Sequence, residues 1–160
     1  MVYRDVARIT IETTSPLHIG SGRSNDLWDS LVVNDANGLP AIPGTSLAGI
    51  LRHAWKDKKE DLFESAEIFG DVEKGRGDSK LSVSWGHIHD SRNRPVAFRA
   101  SKGRLDDDLL RSARDLIVRP HVRINHQGVA DAREHGLFDE CLVPRGHRFT
   151  FELELGFDEE

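Results

Sequence analysis

The stretch PAIPGTSLAGILRHAW, Pro40 to Trp55, runs from a tight turn into the start of a helix. Pro43-Gly44 is a strong turn signal, and the hydroxyls of Thr45 and Ser46 can accept hydrogen bonds from the unpaired amides of a first helical turn. Apolar residues then recur at the spacing of a core-facing helical stripe: Leu47, Ile50, Leu51, Ala54 and Trp55. The stretch therefore predicts a helix that packs on the rest of the fold.

The start of this helix also has the chemistry of an anion site. Free amides, two hydroxyls and the positive end of the helix dipole together suit a phosphate. Arg52 and Lys56 lie on a different face from the apolar stripe. An ordinary capped helix explains the same residues, and on this stretch alone both interpretations stay open.

Length and composition limit the classes of protein. A chain of 160 residues with 38% hydrophobic and 31% charged residues predicts one globular domain. No apolar run approaches the roughly 20 residues that cross a bilayer, and no signal-peptide core follows Met1, so we expect a cytoplasmic protein without membrane contact. The single cysteine, Cys141, excludes an internal disulfide and a cysteine-based zinc site.

The charge is unevenly distributed. The net charge of -5 argues against indiscriminate nucleic-acid binding, yet residues 92–148 hold 12 Lys and Arg against 8 Asp and Glu. A local polyanion site on an acidic protein would give this gradient, and so would chance.

The hydrophobic pattern predicts an α+β fold. After a first strand through Ala7 to Thr13 and a loop, the predicted elements are a strand Ser30 to Asn34, the helix above, a helix Asp61 to Phe69, a strand Leu81 to Asp90, a helix Asp106 to Leu116, an excursion Arg119 to Gly146 and a last strand Phe149 to Leu155. This order is the first part of a ferredoxin-like (RRM-like) antiparallel sheet with helices on one face. The C-terminal helix and strand are missing. Since such a sheet would expose an apolar face and an unpaired edge, we predict that another polypeptide, or a segment not in this chain, completes the fold.

Four stretches, in this order, resemble the RAMP superfamily, the RNA-binding proteins of CRISPR-Cas systems: SPLHIGSG (Ser15 to Gly22), LPAIPGTSLAGILR (Leu39 to Arg52), IFGD (Ile68 to Asp71) and VRINHQGVADAREHGLFDECLVPRGHRFTFEL (Val122 to Leu153). Within the superfamily the chain looks most like the N-terminal portion of the repeating backbone subunit of type III effector complexes. The resemblance implies a single partial RAMP domain over residues 1–160, with an inserted thumb hairpin at about 117–146. The family's C-terminal glycine-rich loop has no counterpart here.

The resemblance implies contacts with guide RNA and target RNA. The turn Gly44-Thr45-Ser46 and Arg52 would hold guide phosphates, and the thumb would wedge between bases of the guide-target duplex, with Val129 and Ala130 as candidate wedge residues. The basic side chains of the excursion could contact phosphates or form a solvated charged face: Arg119, His121, Arg123, His126 and Arg133.

The resemblance also implies a cutting site. Asp29 lies where cleaving relatives carry an essential aspartate, with Asp26 as the near alternative, and His18 resembles a histidine found near the cut in some relatives. An aspartate can hold a divalent ion, Mg²⁺ or Mn²⁺, or orient a 2'-hydroxyl, and a histidine can move protons near neutral pH. Asp29 as a loop acid without a role, and His18 as a packing residue, are the alternatives. For His87 and His89 we expect solvated or RNA-facing positions and no zinc site, because no spacing designates a third ligand.

The expected function is that of a guide-RNA-binding backbone subunit which cuts target RNA as a metal-dependent endoribonuclease within an assembly of RAMP subunits. A non-catalytic structural RAMP subunit is the first alternative. A guide-RNA-processing endonuclease of the same superfamily is the second.

Overall fold

The computed structural model describes residues 2–24, 29–56, 68–70, 78–96, 99–124, 128 and 136–158. Its strands are β1 (Val2–Glu12), β2 (Ala41–Ile42), β3 (Leu81–Val83), β4 (Gly86–Ile88), β5 (Ile117–Val122), β6 (Leu137–Leu142) and β7 (Arg148–Asp158). Its helices are α1 (Gly44–Lys56), α2 (Lys102–Leu105) and α3 (Asp108–Arg114). The predicted mixed α and β composition is thereby confirmed.

Two sheets organise these strands. The larger has the order β1-β7-β4-β2, and β3 also pairs with β7. β3 runs antiparallel to β7, with Leu81 opposite Leu155. β5 and β6 form an antiparallel pair of their own, with Ile117 opposite Leu142 and Val122 opposite Leu137. The two ends of the predicted excursion therefore pair with each other as antiparallel strands, because every residue of β5 has a partner in β6.

The chain divides into two compact units. The first consists of Met1–Thr10, Ile42–Gly86 and Thr150–Glu160, and the second of Ile11–Ala41 and His87–Phe149. Among the described residues, most of the buried apolar side chains lie in the second unit, including Leu39, Leu110, Val143 and Phe149 at 0% exposure. The buried apolar side chains of the first unit are Ile42, Leu47 and Phe151.

Helix α1 packs through a narrower stripe than the sequence predicts. Leu47 is buried, Leu51 and Trp55 are half-buried, and Trp55 meets Phe69 edge-on with ring centroids 6.5 Å apart. Ile50 is 67% exposed and Ala54 is exposed as well, so the predicted core-facing positions of these two residues are wrong. The contact follows one i, i+4, i+8 row of the helix, Leu47, Leu51 and Trp55, and the neighbouring row is exposed to solvent.

Two predicted strands differ from the observed backbone. Residues 30–34 form isolated bridges instead of a regular strand, with Ser30 paired to Glu140 and Val32 to Gly20. The predicted strand from Leu81 to Asp90 is split into β3 and β4. Of the predicted helix from Asp61 to Phe69, residues 61–67 lie outside the described residues, and residues 68 and 69 are helical.

Strand β1 lies at one end of the sheet order and has β7 as its neighbour among the described strands. Its Arg4 and Arg8 form exposed ion pairs with Glu154 and Glu152 of β7. Its Tyr3 is 51% exposed, and its Ala7 is also exposed. Within the described part of the chain, β1 thus offers apolar side chains and a free edge.

No helix in the described ranges is long and apolar enough to cross a membrane.

Gly44 begins α1 against the backbone of β3. It is buried, and a Cβ at this position would overlap the carbonyl oxygen of Val83. A side chain can be added only if the helix moves away from the strand. Gly49, in the same helix, has open space around its Cβ position.

Gly44→Ala should destabilise the protein by about 1–3 kcal/mol, because the added methyl group overpacks the contact between α1 and Val83. Gly49→Ala, the matched control, should raise stability by up to about 1 kcal/mol through helix propensity. Urea unfolding followed by circular dichroism measures both. Equal effects of the two substitutions would contradict the close approach at Gly44.

Candidate functional site

Asp29 and Ser30 are held along strand β6 by backbone hydrogen bonds. The Ser30 amide donates to the carbonyl oxygen of Asp139 at 3.1 Å, and the Cys141 amide donates to the carbonyl oxygen of Ser30 at 3.0 Å. The Asp139 amide in turn donates to Oδ2 of Asp29 at 3.0 Å. This segment therefore pairs with the hairpin through one isolated parallel bridge, and the exposed Asp29 carboxylate has one oxygen fixed.

The segment bearing His18 lies against the same hairpin strand. The backbones of Leu17 and Val143 exchange two hydrogen bonds of 2.9 and 2.8 Å. Nδ1 of the half-buried His18 is 3.0 Å from the carbonyl oxygen of Cys141, and Nε2 is 3.3 Å from Oγ of Ser30. A carbonyl oxygen only accepts, so Nδ1 carries a proton and donates to Cys141, and in the tautomer with its single proton on Nδ1 the Nε2 atom accepts from the Ser30 hydroxyl.

The structure thus brings two of the predicted cutting-site residues together. His18 contacts the hydroxyl of Ser30, and Asp29 precedes Ser30 in the chain. The sequence had not indicated a role for Ser30. A serine next to an acid has no distinctive sequence signal, because only the fold places its hydroxyl on a histidine. Asp26, the alternative to Asp29, lies outside the described residues.

The donor set at Asp29 suits one type of metal ion. Mg²⁺ is usually bound through one or two carboxylates together with substrate phosphates and water. Asp29 supplies one such carboxylate, with its Oδ1 without a hydrogen-bond partner among the described residues. Over the described ranges no group of three or more His, Cys, Asp and Glu side chains could hold a metal ion by itself. A divalent ion at Asp29 would therefore need further ligands from outside the described residues.

Cys141, beneath His18, is a buried free thiol. Burial, and then the negative charge of Asp139, raise the pKa of the Cys141 thiol above its ordinary value. The thiol therefore stays protonated and serves as an apolar packing group, while its backbone carbonyl orients His18.

The predicted phosphate-binding site at the start of α1 lies in the first unit. Gly44 is buried, and Thr45 and Ser46 are exposed at the start of α1. The carbonyl oxygen of Pro43 already accepts from the amides of Ser46 and Leu47, at 3.0 and 3.2 Å. Arg52 is half-buried, and its Nε atom is buried without a hydrogen-bond partner among the described residues.

The hairpin carries the remaining predicted contacts. Arg119 and Arg123 are exposed on one face of β5 and its extension. His121, on the same face, stacks on Phe138 with ring centroids 5.1 Å apart and lies 3.1 Å from Glu140. His121 is thus held within the hairpin, whereas the two arginines are open to solvent. The predicted tip residues lie outside the described residues: His126, Val129, Ala130 and Arg133.

A second polar cluster was missed by the sequence analysis. Asp90, 2% exposed, accepts two hydrogen bonds from the Arg94 guanidinium and lies 3.4 Å from Nε of Arg104. Burial alone would raise the pKa of Asp90. The hydrogen bonds from Arg94 and the charges of both arginines outweigh burial and lower that pKa below its ordinary value. The cluster lines a cavity of about 340 Å³.

The strand histidines belong to the interior. His89 is 5% exposed and its Nδ1 is 2.9 Å from Oδ1 of Asn93, so the expectation that His89 is solvated is wrong. His87 is half-buried. His147 is 1% exposed, and burial lowers its pKa, so this ring is neutral at pH 7. The alternating strand pattern did not reveal that two consecutive residues, Ile88 and His89, are both buried.

Comparisons with known proteins agree with this fold. Residues 10–160 match the family model of the RAMP superfamily. The chain is similar to a chain in a cryo-EM structure of the type III-B Cmr-beta bound to cognate target RNA, with TM-score 0.59 and 18% identity over 95% of this chain and 46% of that one. It is also similar to a chain in the apo state of type III-B Cmr-beta, with TM-score 0.60 and 14% identity over 96% of this chain and 85% of that one.

The chain therefore spans less than half the length of the first of these two chains. No curated protein matches it.

Acid should unfold the protein partly through Asp107, the N-cap of α3. The Ser91 hydroxyl donates to its carboxylate, and this bond is the main reason that the pKa of Asp107 lies below its ordinary value of 3.8. A lowered folded pKa gives stability that is present above the unfolded pKa and is lost as the pH falls through the folded pKa. Asp107→Asn keeps a capping oxygen but does not titrate.

Asp107→Asn should therefore lose less stability than the wild type between about pH 5 and pH 2, in urea unfolding at each pH. Asp108→Asn removes a charge from the next residue, an exposed acid paired with Arg111, and serves as the control. A wild-type pH slope in Asp107→Asn would show that this hydrogen bond does not couple to folding.

Proposed function

The chain belongs to the RAMP superfamily, and from this premise we propose that it is a guide-RNA-binding backbone subunit of a type III CRISPR effector that cuts target RNA at Asp29. The observation that carries the proposal is the exposed Asp29 carboxylate, held on strand β6 beside His18. The likeness to Cmr-beta chains supports the setting, since one of those structures is bound to cognate target RNA.

The proposed reaction is attack by the 2'-hydroxyl of the target on its own neighbouring phosphate. The bond from the 2'-oxygen to phosphorus forms and the bond from phosphorus to the 5'-oxygen breaks, which leaves a 2',3'-cyclic phosphate and a 5'-hydroxyl. The 2'-proton is lost and a proton reaches the 5'-oxygen, so the step balances without any oxidant or reductant.

Asp29 would orient the attacking hydroxyl. Because the Asp139 amide occupies Oδ2, the carboxylate can present Oδ1 to the 2'-hydroxyl in one orientation. Asp29 would also hold Mg²⁺ or Mn²⁺, and the charge of that ion would neutralise negative charge that develops on the phosphate. The chain's own contribution is the fixed carboxylate.

Guide RNA would bind at the start of α1. The exposed hydroxyls of Thr45 and Ser46 and the positive end of the helix dipole face solvent, where a phosphate can reach them. Gly44 allows the helix to begin close to β3, and the half-buried Arg52 of the same helix adds the positive charge of a guanidinium. This arrangement suits a backbone phosphate, which requires donors and positive charge but no base recognition.

The β5–β6 hairpin would act as the thumb of a single partial RAMP domain. Its exposed Arg119 and Arg123 would contact phosphates. His126, Val129 and Arg133, which lie toward its tip in the sequence, are proposed to reach the RNA as well.

Other RAMP subunits are the proposed partners, and one of them, or a further segment, would complete a ferredoxin-like sheet. The free edge of β1 supports this proposal, because it could accept a strand by backbone hydrogen bonds. The exposed Tyr3 and Ala7 would then be covered by the added element.

A non-catalytic structural subunit is the second candidate. It is favoured by the contacts of His18, whose two ring nitrogens lie at hydrogen-bonding distance from groups of the chain itself, the Cys141 carbonyl and the Ser30 hydroxyl. The same observation argues against a guide-processing endonuclease that uses His18 as its base.

Asp29→Asn separates the cutting subunit from the structural one. Asn keeps an oxygen for the Asp139 amide but removes the negative charge, so target cutting at this subunit's position should fall by roughly 10²-fold or more. The measurement is mapping of target RNA fragments from the effector assembled with the variant. Asp5→Asn, an exposed acid on β1, is the matched control.

Assembly and guide RNA content should stay at wild-type levels in both variants. An unchanged cut pattern with Asp29→Asn would exclude the cutting role and leave the structural subunit.

A further inference from the structure

We propose that Ser30 is a positioning residue for Asp29, and that it acts through His18 and the hairpin strand β6. The inference rests on the proposed cutting role of Asp29. It assigns the function of the Ser30 hydroxyl and of the small residue Gly20, which that role by itself leaves without a purpose.

Ser30 is held in place by both its backbone and its side chain. Its backbone amide and carbonyl both bond to β6, so the residue cannot slide along the hairpin. Its Oγ lies 3.3 Å from Nε2 of His18. The residue is therefore fixed along the strand by its backbone and across the strand by its side chain, and Asp29 is its direct neighbour.

The imidazole of His18 is oriented by contacts at both of its nitrogens. Nδ1 of His18 donates to the Cys141 carbonyl oxygen, and in the tautomer with its single proton on Nδ1 the Nε2 atom is the acceptor for the Ser30 hydroxyl. Cys141 also donates its amide to the carbonyl of Ser30. These three residues thus form a closed hydrogen-bonded ring: His18 to Cys141, Cys141 to Ser30 and Ser30 to His18.

Gly20 lies beside the imidazole of His18. A Cβ on Gly20 would lie 2.9 Å from Nε2 of His18. Gly20 has no left-handed backbone that would require glycine, as its φ is not positive. Its small size therefore leaves room for the imidazole at the Ser30 hydroxyl, and Gly20→Ala should displace the ring without straining the backbone.

The role follows from what each group can and cannot do. The Asp29 carboxylate lies at the end of a loop, and a misplacement of about 1 Å in a reacting group can cost 10²-fold in rate. The Asp139 amide fixes one carboxylate oxygen, and the ring of His18, Cys141 and Ser30 fixes the backbone from which that carboxylate extends. Ser30 touches neither substrate nor metal in this account.

The test uses the complete effector assembled on guide RNA, with Ser30→Ala and Gly20→Ala in this chain. Ser21→Ala is the matched control, because Ser21 directly follows Gly20 and its hydroxyl accepts only from the Arg23 amide among the described residues. Each complex is measured for the single-turnover rate of target cutting at saturating target, for target affinity and for the Mg²⁺ concentration that gives half-maximal rate.

Ser30→Ala and Gly20→Ala should each lower the cutting rate on the order of 10-fold and raise the Mg²⁺ requirement, with target affinity unchanged within about twofold. Ser30→Thr, which retains a hydroxyl, should restore most of the rate. Hydrogen exchange of the peptide that spans residues 137–142 should quicken in Ser30→Ala. In an Asp29→Asn background, Ser30→Ala should cause no further loss, because no charged carboxylate is left to position.

The outcomes separate this inference from the proposed function. If Asp29→Asn stops cutting while Ser30→Ala and Gly20→Ala cut at the wild-type rate, the positioning role is overturned and the cutting role stands. If Asp29→Asn cuts normally, both fail. A parallel loss of affinity and rate would show that Ser30 serves only the fold, and Gly20→Ala decides the question if Ser30→Ala does not assemble.

Discussion

The hydrogen bonds that join Asp29 and Ser30 to the backbone of strand β6 are the constraint on which the candidate site depends. A carboxylate on a loop pays conformational entropy for any single orientation, of order 1–2 kcal/mol per ordered residue. Here the two backbone bonds of Ser30 and the bond from the Asp139 amide to Asp29 offset that cost. Strand β6 of the hairpin thus has a structural role that is separate from any contact made by the hairpin tip. It holds the exposed Asp29 carboxylate in one position.

Two of the glycines in the family-like stretches have physical explanations of the same kind. Gly44 lets α1 start against the carbonyl of Val83, and Gly20 leaves room for the ring of His18 at Ser30. In both cases a methyl group would enter occupied space. The motif around Pro43 and Gly44 is therefore a packing requirement as well as a candidate phosphate grip, and its presence alone does not distinguish the two.

Local patterns predicted much of the fold. The turn and capping residues located α1, alternation located β7, and the hydrophobic pattern located the helix capped by Asp107. The pattern failed where tertiary contacts decide exposure. Ile50 has core-like spacing but lies off the row that packs, and His89 sits in a polar-looking strand yet is buried beside Asn93. The Ser30 and His18 contact joins segments whose proximity no spacing encodes, and the resemblance to a family supplied Asp29 but not the serine next to it.

The central claim is that target RNA lies against Asp29 while guide RNA lies at the start of α1. Ultraviolet cross-linking of the assembled effector, with 4-thiouridine placed in the target at the cut position or in the guide, followed by mass spectrometry of the linked peptides, tests it most directly. We expect target cross-links within residues 15–31 and 137–142 and guide cross-links within residues 43–56. Target cross-links confined to other parts of the chain, in complexes that still cut, would contradict the account.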